Sequence, residues 1–371
     1  MSVAKKYLLN GSIVVTVIDS TDILHEAARL HGLGALPAAV LNRVLTVGVF
    51  MGRDLKNEED KLSVIVSGAS EDGSGGESVK IAVAAKMDSV KGYVEEGRLL
   101  INGEAKKYCE KTDNYEKTDG EADCGNGGKK ISENKINSEN ETDSENTINA
   151  EYKTNGETEC NAAKEINSEQ KINYEDETTA ATAFKNAADS AAGGEGYITV
   201  IKDSGMKEPY TGRSELVKGD LSSDFALYFT VSEQKPSAVV LGEYFNGKKI
   251  LAAGGFFVQV LPGADDFLIT IVQDILRDFG DFGKMLRELK TPDAIMDTYF
   301  ADFDVKKIDE FTPRYFCGCG GERTRNIIRM LGRAEAYEIL KNVGMIEARC
   351  DFCGKIYRYG AKEVKEIFEQ K

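Results

Sequence analysis

The chain has 371 residues, 41% of them apolar, and its 47 Lys and Arg against 62 Asp and Glu give a formal net charge of −15. That is enough to bury a core in two or more domains, while the acidic balance argues against nucleic acid as a main partner, because affinity for phosphate backbones rests on Lys and Arg. The start, Met1 to Asn10, is too short in apolar residues for a signal sequence and no run of about 18 apolar residues follows, so a cytoplasmic protein with no membrane partner is expected.

In chain order, Ser12 to Ile18 reads as β-structure, and Asp22 to Leu33 and Leu36 to Leu55 as helices, the second with apolar residues recurring at helical spacing. Leu62 to Ser67, Val79 to Ala85 and Gly92 to Ile101 read as strands, as does Tyr197 to Lys202. Between the last two lies a different kind of sequence. From Gly103 to Gly194 there is no Val, Leu, Met or Pro, one Phe, and 21 acidic residues against 11 Lys, so this tract carries −10 of the net charge. Such a segment cannot bury enough apolar surface to offset ordering at roughly 1–2 kcal/mol per residue, and it is expected to be a disordered insertion in a surface connection. The near-repeats Ile136-Asn137-Ser138-Glu139 and Ile166-Asn167-Ser168-Glu169 are too short for a solenoid. Cys109, Cys124 and Cys160 are loosely spaced within the tract and read as bystanders.

Beyond the tract, Asp220 to Val231 reads as a helix, and Ala238 to Tyr244 and Ile250 to Val260 as strands. Ala253-Gly254-Gly255 reads as a tight lead-in to a buried strand, since no helix follows to make it a dinucleotide loop. Ser70 to Ser78 lacks the Lys-Ser/Thr ending of a phosphate loop and reads as a plain turn. Leu268, Ile271, Val272, Ile275, Leu276, Phe279, Phe282, Met285, Leu286 and Leu289 form an apolar stripe of helical period, followed by a helix with Thr291 as N-cap and Pro292 at its first position. The fold class expected is α+β: a core over 1–263 carrying the insertion, a helical linker over 264–311 and a small C-terminal module over 312–371.

That module holds the most informative spacing. Cys317-Gly318-Cys319 and Cys350-Asp351-Phe352-Cys353 are two tight pairs with thirty residues between them. Two such pairs, brought together by a folded loop, supply the four ligands of a tetrahedral zinc site, and a module of this size needs a staple. The spacing leaves two roles open: a metal that only holds the fold, or a redox switch, since the thiolates that bind zinc are also the form that oxidants attack. His25 and His31, the only histidines, share one predicted helix and offer little for a triad or a histidine metal site. Arg323, Arg325, Arg329 and Arg333 near the first pair open a rival reading as a zinc-ribbon adaptor for nucleic acid or protein; a thiol oxidoreductase using Cys350 and Cys353 ranks third, without the expected strand-to-helix context.

Several motifs together resemble the heat shock protein 33 family of redox-regulated holdase chaperones. They are Cys317-Gly318-Cys319 with Glu322-Arg323, Cys350-Asp351-Phe352-Cys353-Gly354 with Tyr357, Ala253-Gly254-Gly255 leading to Gln259-Val260-Leu261-Pro262, and Ser232-Glu233-Gln234 before Pro236. The resemblance covers nearly all of the chain outside 103–194, a tract that departs from the family pattern. It implies one zinc ion held by Cys317, Cys319, Cys350 and Cys353 when reduced, disulfides Cys317–Cys319 and Cys350–Cys353 on oxidation, and a homodimer in the oxidised form. It also implies capture of unfolding proteins without ATP or enzymatic activity, on apolar surface that includes Leu268, Ile271, Val272, Ile275 and Phe279.

Overall fold

The computed structural model describes residues 1–69, 79–95, 98–101, 104–107, 195–217, 220–247 and 249–369. The chain opens with two paired strands, β1 (Val3–Leu9) and β2 (Ile13–Asp19), joined through Asn10 and Gly11, both at positive φ. On β2 the side chains of Ile13, Val15 and Val17 face one apolar cluster while Ile18 faces another, so this strand is buried on both sides. Two helices follow, α1 (Thr21–His31) and α2 (Ala35–Arg53). Every residue of α2 from Ala35 to Gly52 is buried, which suits its apolar composition all round. Among the described residues α2 is the one helix long and apolar enough to cross a bilayer, and it lies wholly inside the fold.

The next strands are β3 (Lys61–Ala69), β4 (Val79–Lys86), β5 (Ser89–Val94), β6 (Arg98–Ile101), β7 (Glu104–Lys107), β8 (Glu195–Asp203) and β9 (Tyr210–Glu215). Helix α3 (Leu221–Val231), capped by the Asp220 carboxylate, leads to β10 (Ser237–Asn246) and β11 (Lys249–Val260). Three short helices come next: α4 (Asp266–Asp278), α5 (Phe282–Leu289) and α6 (Pro292–Tyr299). The remainder is β12 (Val305–Phe311), β13 (Arg314–Tyr315), α7 (Gly321–Leu331), α8 (Arg333–Val343), β14 (Ile346–Arg349), β15 (Ile356–Tyr359) and α9 (Ala361–Glu369).

Two sheets enclose α2. The first runs β10-β11-β2-β1-β12, all antiparallel; the second runs β13-β5-β4-β3-β8-β9, antiparallel except for β13 on β5. Helix α2 packs against β3, β4 and β5 on one side and β11 on the other, with Phe50 stacked on Phe257 at 4.2 Å. A buried Arg43–Glu243 ion pair, 2.9 Å apart, ties α2 to β10.

The outer face of the first sheet is covered by α4, α5 and α6. Phe256 of β11 meets Phe279, Phe282 and Phe300 at ring separations of 4.7, 6.3 and 5.9 Å. Helix α5 approaches β10 backbone to backbone: a Cβ on Gly283 would stand 2.2 Å from the Glu243 carbonyl carbon, so only glycine fits. At the start of α6, Asp293 accepts hydrogen bonds from Lys5 Nζ at 2.5 Å and Tyr7 Oη at 2.7 Å, which fixes that helix on β1.

The α+β class stands, with four differences from expectation. The apolar stripe is two helices, not one, because the chain breaks at Gly280 (φ 59°) and restarts with Asp281 as an N-cap. The interval 264–311 is helical only to Tyr299; residues 305–311 form β12, an edge strand of the first sheet. Ala253-Gly254-Gly255 lies inside β11 and not at its entry, and the glycines give close packing there. Gly92 to Ile101 divides into β5 and β6, and β6 pairs with β7, which places 104–107 in a hairpin and not in disordered chain. The rest of the acidic tract, with Cys109, Cys124 and Cys160, and the Ser70 to Ser78 segment lie outside the described residues.

Candidate metal and redox centre

The two cysteine pairs sit on different local structures. Cys317-Gly318-Cys319 lies in a stretch without helix or strand between β13 and α7. The second pair occupies the turn of the β14–β15 hairpin. There Cys350 N donates to the Lys355 carbonyl at 2.9 Å, and the amides of Cys353 and Gly354 both donate to the Cys350 carbonyl, at 3.3 and 2.8 Å. Gly354 closes this knuckle at φ 67°, and a Cβ there would also come within 3.2 Å of the Leu30 carbonyl of α1.

The fold brings all four sulfurs within 4.8 Å of one another, with Cys317–Cys350 at 3.6 Å and Cys319–Cys353 at 3.3 Å. A tetrahedron of thiolates about 2.3 Å from a zinc ion has edges of roughly 3.8 Å, so donor set and spacing fit such an ion. The four thiols are free and half-buried. Burial pushes the Cys317 thiol up. It pushes Cys319 up as well, but a 3.3 Å hydrogen bond from Tyr357 Oη and those of the neighbouring thiols outweigh it and bring Cys319 down to about 7. Cys353 is raised, first by burial. The thiolate is the form that both binds metal and is oxidised.

Around this centre the module is small. Its apolar cluster is Ile328, Ala336, Ile346, Tyr359, Val364 and Ile367. Of the four arginines, Arg325 pairs with Glu322 at 3.2 Å and Arg329 donates to the Ile367 carbonyl at 3.1 Å, so two of them serve the module itself. His25 contacts the Ile250 carbonyl at 2.9 Å, and His31 donates from Nε2 to the Phe352 carbonyl at 3.1 Å; neither faces the thiols directly. The stripe residues lie apart from the centre: Val272 and Phe279 are buried on the first sheet, and Leu268, Ile271 and Ile275 are half-buried.

Sequence reasoning missed the surroundings of the knuckle. Phe352 packs edge-on against Tyr93 at 5.2 Å and lies under Lys91 Nζ at 4.4 Å, while Tyr315 joins Gly92 and Phe352 through its hydroxyl. An aromatic residue inside a ligand turn was the available signal.

Comparison with known proteins agrees with this picture. The family described as Hsp33 protein matches residues 2–360. A 33 kDa chaperonin of Clostridium novyi is 27% identical over 97% of this chain and 95% of its own length. One from Bacillus cytotoxicus is 37% identical over 48% of this chain and 62% of its own length. The crystal structure of the 33 kDa chaperonin (heat shock protein 33 homolog) of Thermotoga maritima covers 99% of this chain and 97% of its own, with a TM-score of 0.65 at 18% identity, a likeness of fold.

Proposed function

We propose that this chain, which belongs to the Hsp33 family, is a cytoplasmic, ATP-independent holdase chaperone switched on by oxidation. The observation that carries the reading is the meeting of four thiols within 4.8 Å on a module whose own buried cluster is six side chains. In the reduced state Cys317, Cys319, Cys350 and Cys353 would hold one zinc ion, which would supply the cross-link the module lacks. The fold beneath is a sheet whose outer face is covered by three short helices. Oxidation removes two electrons from each pair, joins Cys317 to Cys319 and Cys350 to Cys353, and leaves no thiolate to retain the metal.

With its staple gone the module unfolds, and α4 to α6 loosen from the first sheet. Leu268, Ile271, Val272, Ile275 and Phe279 then become available to apolar segments of unfolding proteins, with the oxidised chain acting as a homodimer. The adaptor reading is not favoured, since Arg325 and Arg329 are engaged within the module.

The test is light scattering from a thermally unfolding enzyme mixed with the chain, either reduced and zinc-loaded or oxidised with hypochlorite and zinc-free. Suppression by the oxidised form alone is expected. Suppression by neither form, or equally by both, overturns the switch.

A further inference from the structure

The metal centre is fastened to the second sheet by an unusual edge. Strand β13 is two residues long, Arg314 and Tyr315, and pairs in parallel with Ser89 and Val90 of β5. Arg314 N donates to the Asp88 carbonyl and Phe316 N to the Val90 carbonyl, each at 2.9 Å. Where the backbone of β13 ends, a side chain takes over: Tyr315 Oη donates to the Gly92 carbonyl at 2.9 Å and accepts from Gly92 N at 3.3 Å. The outward-facing groups of β5 from Asp88 to Gly92 are thus satisfied by one short segment and one hydroxyl.

That segment is held from its far side by the thiol site. Cys317 follows two residues after Tyr315, the Phe352 carbonyl meets the Tyr315 hydroxyl and His31, and the Phe352 ring covers Lys91 and Tyr93 on the outer face of β5. Without the cysteine site, residues 312–316 are tethered by β12 on their N-terminal side, by two residues of strand pairing with β5 and by the Tyr315 hydroxyl on Gly92. A bare strand edge is a template for any extended chain.

We propose that the outer edge of β5, Asp88 to Gly92, is a client-binding site that takes an extended segment of an unfolding polypeptide as an added parallel strand, the place filled by residues 314–316 in the structure. The inference rests on the holdase reading above and deepens it. Residues 314–316 act as an internal pseudo-client. The recognised chemistry is backbone N–H groups at two alternate positions with an aromatic side chain between them, which leaves the remaining sequence free, as varied clients require. Tyr93, uncovered when Phe352 leaves, offers a second aromatic contact.

The experiment uses the full chain and a fluorescent peptide, Thr-Pro-Arg-Tyr-Phe, followed by anisotropy. The oxidised, zinc-free chain is expected to bind at least tenfold more tightly than the reduced, zinc-loaded chain. N-methylation of the peptide's Phe amide, which removes the donor to Val90, weakens binding by roughly three- to tenfold. A benzophenone at the Tyr position cross-links within 88–94, and Tyr315→Phe, which loosens the internal segment, raises peptide binding by the reduced chain. Absence of binding to the oxidised chain, indifference to N-methylation, or cross-links confined to 268–279 overturns the proposal. The light-scattering assay separates the two readings: suppression by the oxidised chain with a negative peptide result leaves the holdase and removes the edge. Failure to suppress removes the holdase, and the N-methyl comparison still decides the edge.

Discussion

The core and the C-terminal module are stabilised in opposite ways. In the core, α2 is buried from Ala35 to Gly52 between two sheets, and Phe50 alone meets Phe257 and Phe229. The module has six buried apolar residues and four half-buried thiols for roughly sixty residues. Burial at about 1.5–3 kcal/mol per large side chain makes the core indifferent to oxidants. The module, by contrast, depends on ligands that oxidation destroys. Between the two lie α4 to α6, docked by apolar contact on the core and joined in sequence to the module through β12 and β13. A region that must respond to its environment is small and cross-linked; one that must persist is large and apolar.

The sharpest way to break this contrast is at the ligands. Apparent zinc binding energies of about 10–16 kcal/mol in small thiolate-rich peptides exceed what six buried side chains can supply once ordering is counted. Cys353→Ser, or chelation of the reduced chain, is therefore expected to abolish amide protection across 321–369 while α2 keeps its own. Hydrogen exchange read by mass spectrometry checks this, and a module that stays protected would show that it folds without metal.

The converse change is Phe50→Ala, expected to cost the core about 3–5 kcal/mol with zinc stoichiometry unchanged. Denaturant unfolding alongside metal analysis measures both. Gly283→Ala acts on the cover between them, forcing α5 from Glu243 at about 1–3 kcal/mol. Faster proteolysis within 264–300 and partial holdase activity in the reduced state are expected.

The smallest effect is electrostatic. Burial alone would raise the Asp293 carboxyl, but hydrogen bonds from Lys5 and Tyr7 and the Lys5 charge outweigh it and hold the group below its ordinary range. A depressed folded value stabilises above the unfolded value near 3.9 and loses that contribution as pH falls through the folded one. Docking of α6 should thus weaken below about pH 4, by less than about 1 kcal/mol because the carboxylate is half-exposed. Asp293→Asn should remove that pH dependence, as read from proteolysis of the linker between pH 3 and 6.

Some of this was open to sequence reasoning. Thr291 and Pro292 announced α6, and the cap and proline are where they were expected. The apolar spacing of Leu36 to Leu55 announced a helix, though not its burial on all sides, and the two cysteine spacings announced a four-thiol site. Strands β1 and β9 escaped because polar residues interrupt them. β12 escaped because its sequence, Val305-Lys306-Lys307-Ile308-Asp309-Glu310-Phe311, is that of a solvated edge, whose pairing with β1 lies nearly three hundred residues away. The break at Gly280 was legible as a glycine but not as an end of helix, since the apolar period runs straight across it.

What the sequence determined by itself is local chemistry: which thiols can share a metal, where helices start, and which segment cannot build a core. These follow from residue type at short spacing. Tertiary structure alone decided that α4 to α6 cover the outer face of the first sheet, that Gly283 sits against Glu243, and that the knuckle at Phe352 meets Tyr93, His31 and the edge of β5. Those contacts join residues far apart in the chain. They are set by complementary surfaces and free hydrogen-bonding edges, which no short window of sequence records.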